Sequence, residues 1–428
     1  MIIKIIGAGI AGLTVSHVLQ ENDIQSEIIE KQSLPGGLSK SFEMAGEWFD
    51  LGGHATFAKD AFVRTTLESG VDFNTLKAVA YNYKYGKWIK NPVQINLAEL
   101  DTKEKISILL DYFQRPSHII PENYMQWLEK YYGRYFAENY PKLYTEKYWT
   151  VEPEQLETKW VGIRMYQPTV EEVLYGAFEK ETPEVHYSGE IRYPKIGGFE
   201  SFIKKLETEA NIKLNQNIAN IDVTEKLISF DTGEKRYYDI LVNTAPLPEI
   251  IKLIDRVPVE VQKAANNLNA TSLILVSIAI KGKLKTDMSP GFYIYDSNIP
   301  ATRVYSTTKY SGQYKGVTAL QAEVFISKFR LLHGSYEEIA SKVVQQLSDI
   351  GMFDMNNVIA KNVRFEPYAN IIFTPDIYEN RDKVRSYLDE NNIICAGRFG
   401  EWDYLWTDQA MLSGKKAAEQ VMSMLKEV

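Results

Sequence analysis

Six consecutive residues, Tyr144-Thr145-Glu146-Lys147-Tyr148-Trp149, set three aromatic rings, a hydroxyl, a carboxylate and an ammonium side by side, and a solitary arginine, Arg164, follows them. Flat aromatic faces suit a nucleobase, and the planar fork of an arginine bonds two phosphate oxygens at once. A second arginine, Arg303, stands in the segment 300–310 ahead of a β-rich run, which suits a cleft wall. Far upstream, the stretch Gly-Ala-Gly-Ile-Ala-Gly at 7–12 has the spacing with which backbone amides cradle a pyrophosphate. His54, one of 5 histidines, is preceded by two glycines. Taken singly, each has an ordinary explanation. Tyr144, Tyr148 and Trp149 could close a helical core, a lone arginine is usually a surface or ion-pair residue, and an imidazole is often satisfied by backbone. The coincidence of Trp149 with Arg164 and Arg303 favours function for these three and leaves Tyr148 as a core residue. Asp50 and Glu146 read as loop and helix-surface carboxylates, not as catalytic acids.

The glycines acquire meaning from the elements around them. An apolar strand at 2–6 runs into them, a helix carrying Leu13, Val18 and Leu19 follows, and a second strand ends near Glu30. In such a βαβ unit Gly7 allows the tight turn, Gly9 admits the pyrophosphate and Gly12 lets helix and strand pack closely, while Glu30 can accept from ribose hydroxyls. Residues from about 100 to 165 have a helical pattern, residues 187–240 return to short strands, and residues 270–330 hold β-rich runs. The chain ends in a strand, a loop and a helix, with Asp408 placed as an N-cap aimed at the cofactor and Ser413-Gly414 permitting close packing. No internal repeat or linker interrupts this order, so the domains are expected to interleave, with the first and last segments closing one sheet.

A chain of 428 residues with 45% hydrophobic and 24% charged content can bury a full core over two or three domains. Its net charge of −8 argues against nucleic acid, which demands a basic face. No apolar run is long enough to span a membrane, and no leader precedes the first strand, so a cytoplasmic protein is expected. The single cysteine, Cys395, cannot form an internal disulfide, and no Cys/His cluster suggests a metal. The 27 tyrosines are numerous, and a tyrosine combines a flat apolar face with a hydroxyl, which suits sites that stack rings and bind sugars or phosphates; a general tyrosine preference of the source proteome accounts for the count equally well.

Several separated motifs then match one family in order. Glycine loops at 36–37 and 52–53 resemble those of large FAD-binding flavoproteins. The segments 49–57 (FDLGGHATF), 85–97 (YGKWIKNPVQINL), 144–149 with Arg164, 192–206, 300–310 and 397–411 (GRFGEWDYLWTDQAM) resemble the UDP-galactopyranose mutases, within the amine oxidase-like flavoproteins. The pattern departs at Asn91, where members often carry an aromatic, and at Ala369, where proline usually follows the tyrosine.

The resemblance implies an α/β fold: a Rossmann-type FAD-binding domain (1–75, 190–245 and 390–428), an inserted helical domain (98–165), and an antiparallel β-sheet substrate domain (76–97, 166–189 and 246–389). It implies non-covalent FAD, active when reduced, held by Gly7, Gly9, Ala11, Gly12, Glu30, Lys31, Gly37, Leu38, Gly53, His54, Arg398, Asp408, Gln409 and Ala410. Substrate contacts fall on Gln94, Tyr144, Thr145, Trp149, Arg164, Arg303, Tyr368 and Tyr404, with His54, Arg164 and Arg303 as the catalytic set.

The implied reaction interconverts the pyranose and furanose forms of a UDP- or dTDP-sugar, with UDP-galactose as the leading substrate. Reduced flavin N5 attacks the anomeric carbon while the arginines neutralise the departing diphosphate. NAD(P)H or another reductant would prime the flavin, and association into homo-oligomers stays open. Two rivals share the skeleton: an amine oxidase or desaturase, which would not need arginines for a diphosphate, and a non-catalytic flavin-binding partner, which would not need intact flavin-facing motifs.

Overall fold

The computed structural model describes residues 1–185, 189–286 and 290–426. A five-stranded sheet forms the nucleotide-binding layer, in the spatial order Ile393–Cys395, Ile240–Asn243, Ile3–Ile6, Glu27–Ile29, Ile212–Lys213, with every pair parallel. Its central strands, Ile3–Ile6 and Ile240–Asn243, are buried at every position, as a parallel sheet covered on both faces requires. The sheet gathers strands from three distant parts of the chain, and Ile240–Asn243 stands between the strands of its first and last segments.

The helix Ile10–Gln20 crosses the C-terminal helix Thr407–Lys426 at close quarters. A Cβ at Gly414 would lie 2.6 Å from the Ala11 carbonyl oxygen, so only glycine permits this approach.

The second sheet has seven strands, in the order Val358–Ile372, Asn269–Lys281, Val317–Ile326, Arg303–Tyr305, Gly291–Ile294, Ala80–Lys84, Lys87–Lys90. It is antiparallel except where Gly291–Ile294 runs parallel to Ala80–Lys84. Strand periodicity divides its two faces. Ile274, Val276 and Ile278 join Leu320, Ala322 and Val324 in a core with Ile339, Val343 and Leu347 of the helix Tyr336–Asp349. The alternate positions, among them Leu273, Leu275, Glu323 and Phe325, lie on the opposite face, and three of these four line the central cavity.

Helices Thr102–Gln114, Tyr124–Tyr132, Arg134–Asn139 and Pro141–Tyr148 make up the helical insert. Asn123 caps the second by accepting from the Gln126 amide, and Pro141 opens the last, where its missing N–H costs nothing. Much of the tyrosine content is spent here. Tyr112, Tyr124, Tyr132 and Tyr140 are buried with Trp127, Phe136, Trp149 and Trp160.

One boundary differs from the sequence reading, which places 246–389 with the antiparallel sheet. The helices Leu247–Leu253, Val259–Asn266 and Ile377–Glu390 share a core instead with Leu241 and Ile393 of the nucleotide-binding sheet. Their apolar faces fit either layer by periodicity, and only the chain path decides between them.

Candidate active site

A single cavity of about 1290 Å³ runs from the tip of the parallel sheet to the helical insert. At one end the helix Ile10–Gln20 points its N-terminus into it, with Gly9 as N-cap, no side-chain cap and no acidic residue in the first turn. The unpaired first-turn amides and the helix dipole favour an anion there. A Cβ on Gly9 would meet no atom within 4 Å, so the space above it is open to a ligand. Gly7 adopts φ +97°, which suits glycine, and a Cβ on Gly12 would fall 2.0 Å from the Gly7 carbonyl oxygen. Gly12 therefore packs the turn without lining the cavity.

Glu30 accepts from the amides of Ala8 (2.8 Å) and Gln32 (2.8 Å), which fixes the turn while a carboxylate's remaining lone pairs stay available to a ribose. Lys31, Gly37, Leu38, Ala11 and Ala410 line the same end. So do Gln216, Asn217 and Thr244, which the sequence reading did not name. Asp408 lines the cavity too, but the helix begins at Thr407, so this carboxyl sits inside the first turn and is not the N-cap. Gln409 does not reach the cavity; it accepts from the Trp406 amide at 2.9 Å. These open glycines, free amides and a ribose-directed carboxylate fit the phosphates and adenosine of FAD.

His54 and Gly53 lie farther along the wall. The Nδ1 of His54 bonds the Gly52 carbonyl at 3.1 Å, and since that oxygen can only accept, Nδ1 carries the proton and Nε2 remains an acceptor. Burial pushes the imidazole pKa down to about 4, so the ring is neutral at pH 7. Arg398 stands nearby, donating through Nε to the Leu405 carbonyl (2.8 Å) and through Nη1 to that of Ala369 (3.1 Å). Burial lowers its pKa.

Asp50 needs correcting. It is a fully buried hub, not a loop carboxylate: it accepts from the Ser41 hydroxyl (2.6 Å), the Tyr193 hydroxyl (2.7 Å) and the Phe199 amide (2.9 Å). Burial raises its pKa to about 6. Glu146 is a half-buried helix residue near Lys142, at 3.7 Å.

The far end of the cavity is walled by tyrosines. Tyr144 and Tyr148, one turn apart, stack at 5.4 Å, and Tyr293 meets Tyr144 edge-on at 5.6 Å. The Tyr148 hydroxyl shares a hydrogen bond with that of Tyr404 at 3.2 Å. The sequence reading ranks Trp149 above Tyr148 as a ligand contact, and the geometry reverses the order. Both line the cavity, but Trp149 is only 4% exposed and is boxed edge-on by Tyr148, Trp160 and Tyr404. Its ring offers no free face on which a base could stack.

Thr145 lines the same wall. Gln94 donates to the Tyr166 carbonyl at 3.0 Å, which leaves its own carbonyl oxygen for a donor. Tyr368 borders the cavity, but its hydroxyl donates to Glu249 at 2.5 Å.

The two arginines are not equivalent. Arg164 donates to the carbonyls of Trp160 (2.9 Å) and Tyr404 (2.5 Å) and lies over the Tyr404 ring at 4.5 Å, with no carboxylate partner among the described residues. Arg303 is held by Glu323 through Nε (2.8 Å) and Nη2 (2.7 Å). Both arginines line the cavity, as the sequence reading expects of a diphosphate site, but the guanidinium of Arg303 is paired with a carboxylate and that of Arg164 is not, among the described residues. Glu323 was missed, although a carboxylate inside the apolar strand Val317–Ile326 was a visible signal. Tyr293 and Tyr295 were missed as well; strand alternation alone does not say which face meets a cavity.

Comparison with known proteins follows the same outline. Residues 5–65 match the model of an NAD(P)-binding Rossmann-like domain, and residues 179–422 match that of the flavin containing amine oxidoreductases. A crystal structure of reduced UDP-galactopyranose mutase superposes with a TM-score of 0.91 at 22% identity, covering 99% of this chain and 95% of that one. A protein from Exiguobacterium sp. 255-15 named for protoporphyrinogen oxidase gives 0.77 at 18% identity, covering 99% of both chains. A fatty acid isomerase from P. acnes that produces CLA gives 0.67 at 14% identity, covering 98% of both. Among curated protein sequences, none matches significantly.

Proposed function

The chain belongs to the flavin containing amine oxidoreductase family, with FAD as its cofactor, and from that premise we propose that it is a nucleotide-sugar mutase. The substrate would be a UDP- or dTDP-sugar whose pyranose and furanose forms it interconverts, UDP-galactose being the leading candidate. One observation carries this reading. Beyond the FAD end, the same cavity continues into a tyrosine-walled compartment that holds a guanidinium, Arg164, with no carboxylate partner among the described residues. A second ligand with a ring system, hydroxyls and a multiple negative charge matches that lining; an amine or a hydrocarbon does not.

The chain's own residues then have distinct tasks. Arg164, oriented by two main-chain carbonyls, neutralises the diphosphate as negative charge develops on it. Arg303, fixed by Glu323, keeps its remaining donors in a set position at the cavity wall. Tyr144, Tyr148, Tyr293 and Tyr404 present hydroxyls and ring edges to the sugar nucleotide. Neutral His54 offers Nε2 as an acceptor beside the expected flavin position. FAD, when bound and reduced, supplies the nucleophile for the anomeric carbon.

The test is anaerobic. Enzyme reduced with dithionite is incubated with a panel of nucleotide sugars, and product and flavin absorbance are followed together. Many turnovers per flavin, with the flavin still bleached, support the mutase. Product that forms only as oxidised flavin is consumed would establish the rival oxidase, a chemistry that the wider family name and the Exiguobacterium neighbour keep in view.

A further inference from the structure

Lys147, the ammonium of the six-residue aromatic stretch, takes no part in these tasks. It is 2% exposed, on the helix Pro141–Tyr148, and no carboxylate pairs with it among the described residues. Its Nζ donates instead to two main-chain carbonyls, those of Ile294 (2.8 Å) and Asp296 (3.1 Å). Burial and the nearby Arg330 push its pKa well down, against the pull of the Asp296 carboxylate. An ammonium without a counter-ion is costly to bury, and an apolar side chain of similar length would serve packing alone at lower cost.

The geometry points to a different use. Tyr144 and Lys147 are three residues apart on the helix, so they share a face. Ile294 and Asp296 flank Tyr295, at the end of the strand Gly291–Ile294 that also carries Tyr293. Ring and ammonium contacts therefore interleave. Tyr144 meets Tyr293 at 5.6 Å and Tyr295 at 5.9 Å, while Lys147 grips the backbone on either side of Tyr295. One wall of the compartment comes from the helical insert and the other from the seven-stranded sheet, and Lys147 spans the joint between them.

We propose that Lys147 is a positioning residue that sets the separation of the Tyr144/Tyr148 and Tyr293/Tyr295 walls, and through it the affinity for the nucleotide part of the substrate. The inference rests on the nucleotide-sugar reading above. A second lysine provides the control. Lys84 ties the same insert to the same sheet, donating to Glu104 at 3.2 Å beneath the Tyr140 ring at 3.7 Å. Neither lysine lines the cavity, but only Lys147 bonds the backbone on either side of Tyr295. A merely structural tether would behave alike at both sites.

The experiment titrates UDP, and separately dTDP, into the FAD-loaded enzyme by calorimetry and compares wild type, Lys147→Met and Lys84→Met, with Tm and flavin content measured on the same samples. Lys147→Met should weaken the better-bound nucleotide at least tenfold, while Lys84→Met lowers Tm and leaves the affinity within threefold. A change of less than tenfold in Lys147→Met, or an equal loss in Lys84→Met, overturns the proposal. If Lys147→Met does not fold, Lys147→Gln, whose amide falls one bond short of the strand, is judged by the same thresholds. Wild-type enzyme that binds neither nucleotide refutes the nucleotide-sugar reading and this proposal with it. Wild-type binding without the variant difference refutes this proposal alone.

Discussion

Replacing Arg164 and Arg303 separately by alanine should give two different phenotypes, because one guanidinium is free and the other is neutralised. Arg164 spends two donors on main-chain carbonyls and has no carboxylate to offset its charge among the described residues. A charge-assisted hydrogen bond to a diphosphate oxygen contributes about 1.5–3 kcal/mol. At about 1.4 kcal/mol per decade, Arg164→Ala should lower kcat/KM by about one to two decades, with flavin content unchanged. Arg303→Ala instead strands the Glu323 carboxylate, 2% exposed, with the Gly53 amide (2.9 Å) as its remaining donor. Removing one partner of a buried pair costs roughly 3–5 kcal/mol, and because the Arg303 side chain is 31% exposed the lower end applies. That variant should therefore lose several degrees of Tm as well as activity. The assay pairs steady-state kinetics on dithionite-reduced enzyme with thermal unfolding of the FAD-loaded protein. Arg164→Ala within threefold of wild-type kcat/KM, or Arg303→Ala with an unchanged Tm, would refute the distinction.

Two further expectations follow from the nucleotide-binding turn and from the buried acid. Gly9→Ala should fold, since its Cβ meets nothing within 4 Å, yet should retain far less FAD because that methyl projects into the phosphate space; Gly12→Ala, with a 2.0 Å clash, should fail to fold, and equal flavin retention in both would contradict the cradle. The pH dependence of stability should depend on Asp50 and His54 with opposite signs. The folded pKa of Asp50 is raised from 3.8 to about 6, so its contribution is present at low pH and lost as pH rises through about 6. That of His54 is lowered from 6.5 to about 4, so its contribution is present above 6.5 and lost as pH falls toward 4. Asp50→Asn leaves the histidine term unopposed, and its Tm should drop more steeply than that of wild type between pH 6 and pH 4. Parallel profiles would show that Asp50 does not titrate in this range.

What could be read from the sequence was local chemistry. Gly7, Gly9, Gly12 and Glu30 declare a dinucleotide site because turn, phosphate approach and ribose contact all lie within one βαβ unit, where spacing along the chain is nearly spacing in space. The parallel and antiparallel layers, and the helical insert between them, were legible for the same reason: periodicity is a property of short windows. The order of separated motifs carried the likeness to the mutase fold.

Tertiary structure decided what depends on pairs brought together across the chain. Arg303 and Glu323 are directly opposite on neighbouring antiparallel strands, so only the register shows that one guanidinium is neutralised and Arg164 is not. Asp50 becomes a buried hub because Tyr193 and Phe199, from the distant segment 192–206, join its hairpin neighbour Ser41 around it. Trp149 and Tyr148 are adjacent in sequence and equally aromatic, and only packing assigns the first to the wall's interior and the second to its surface. A side chain's type states which bonds it can make; its neighbours, which arrive from elsewhere in the chain, determine which of those bonds remain for a ligand.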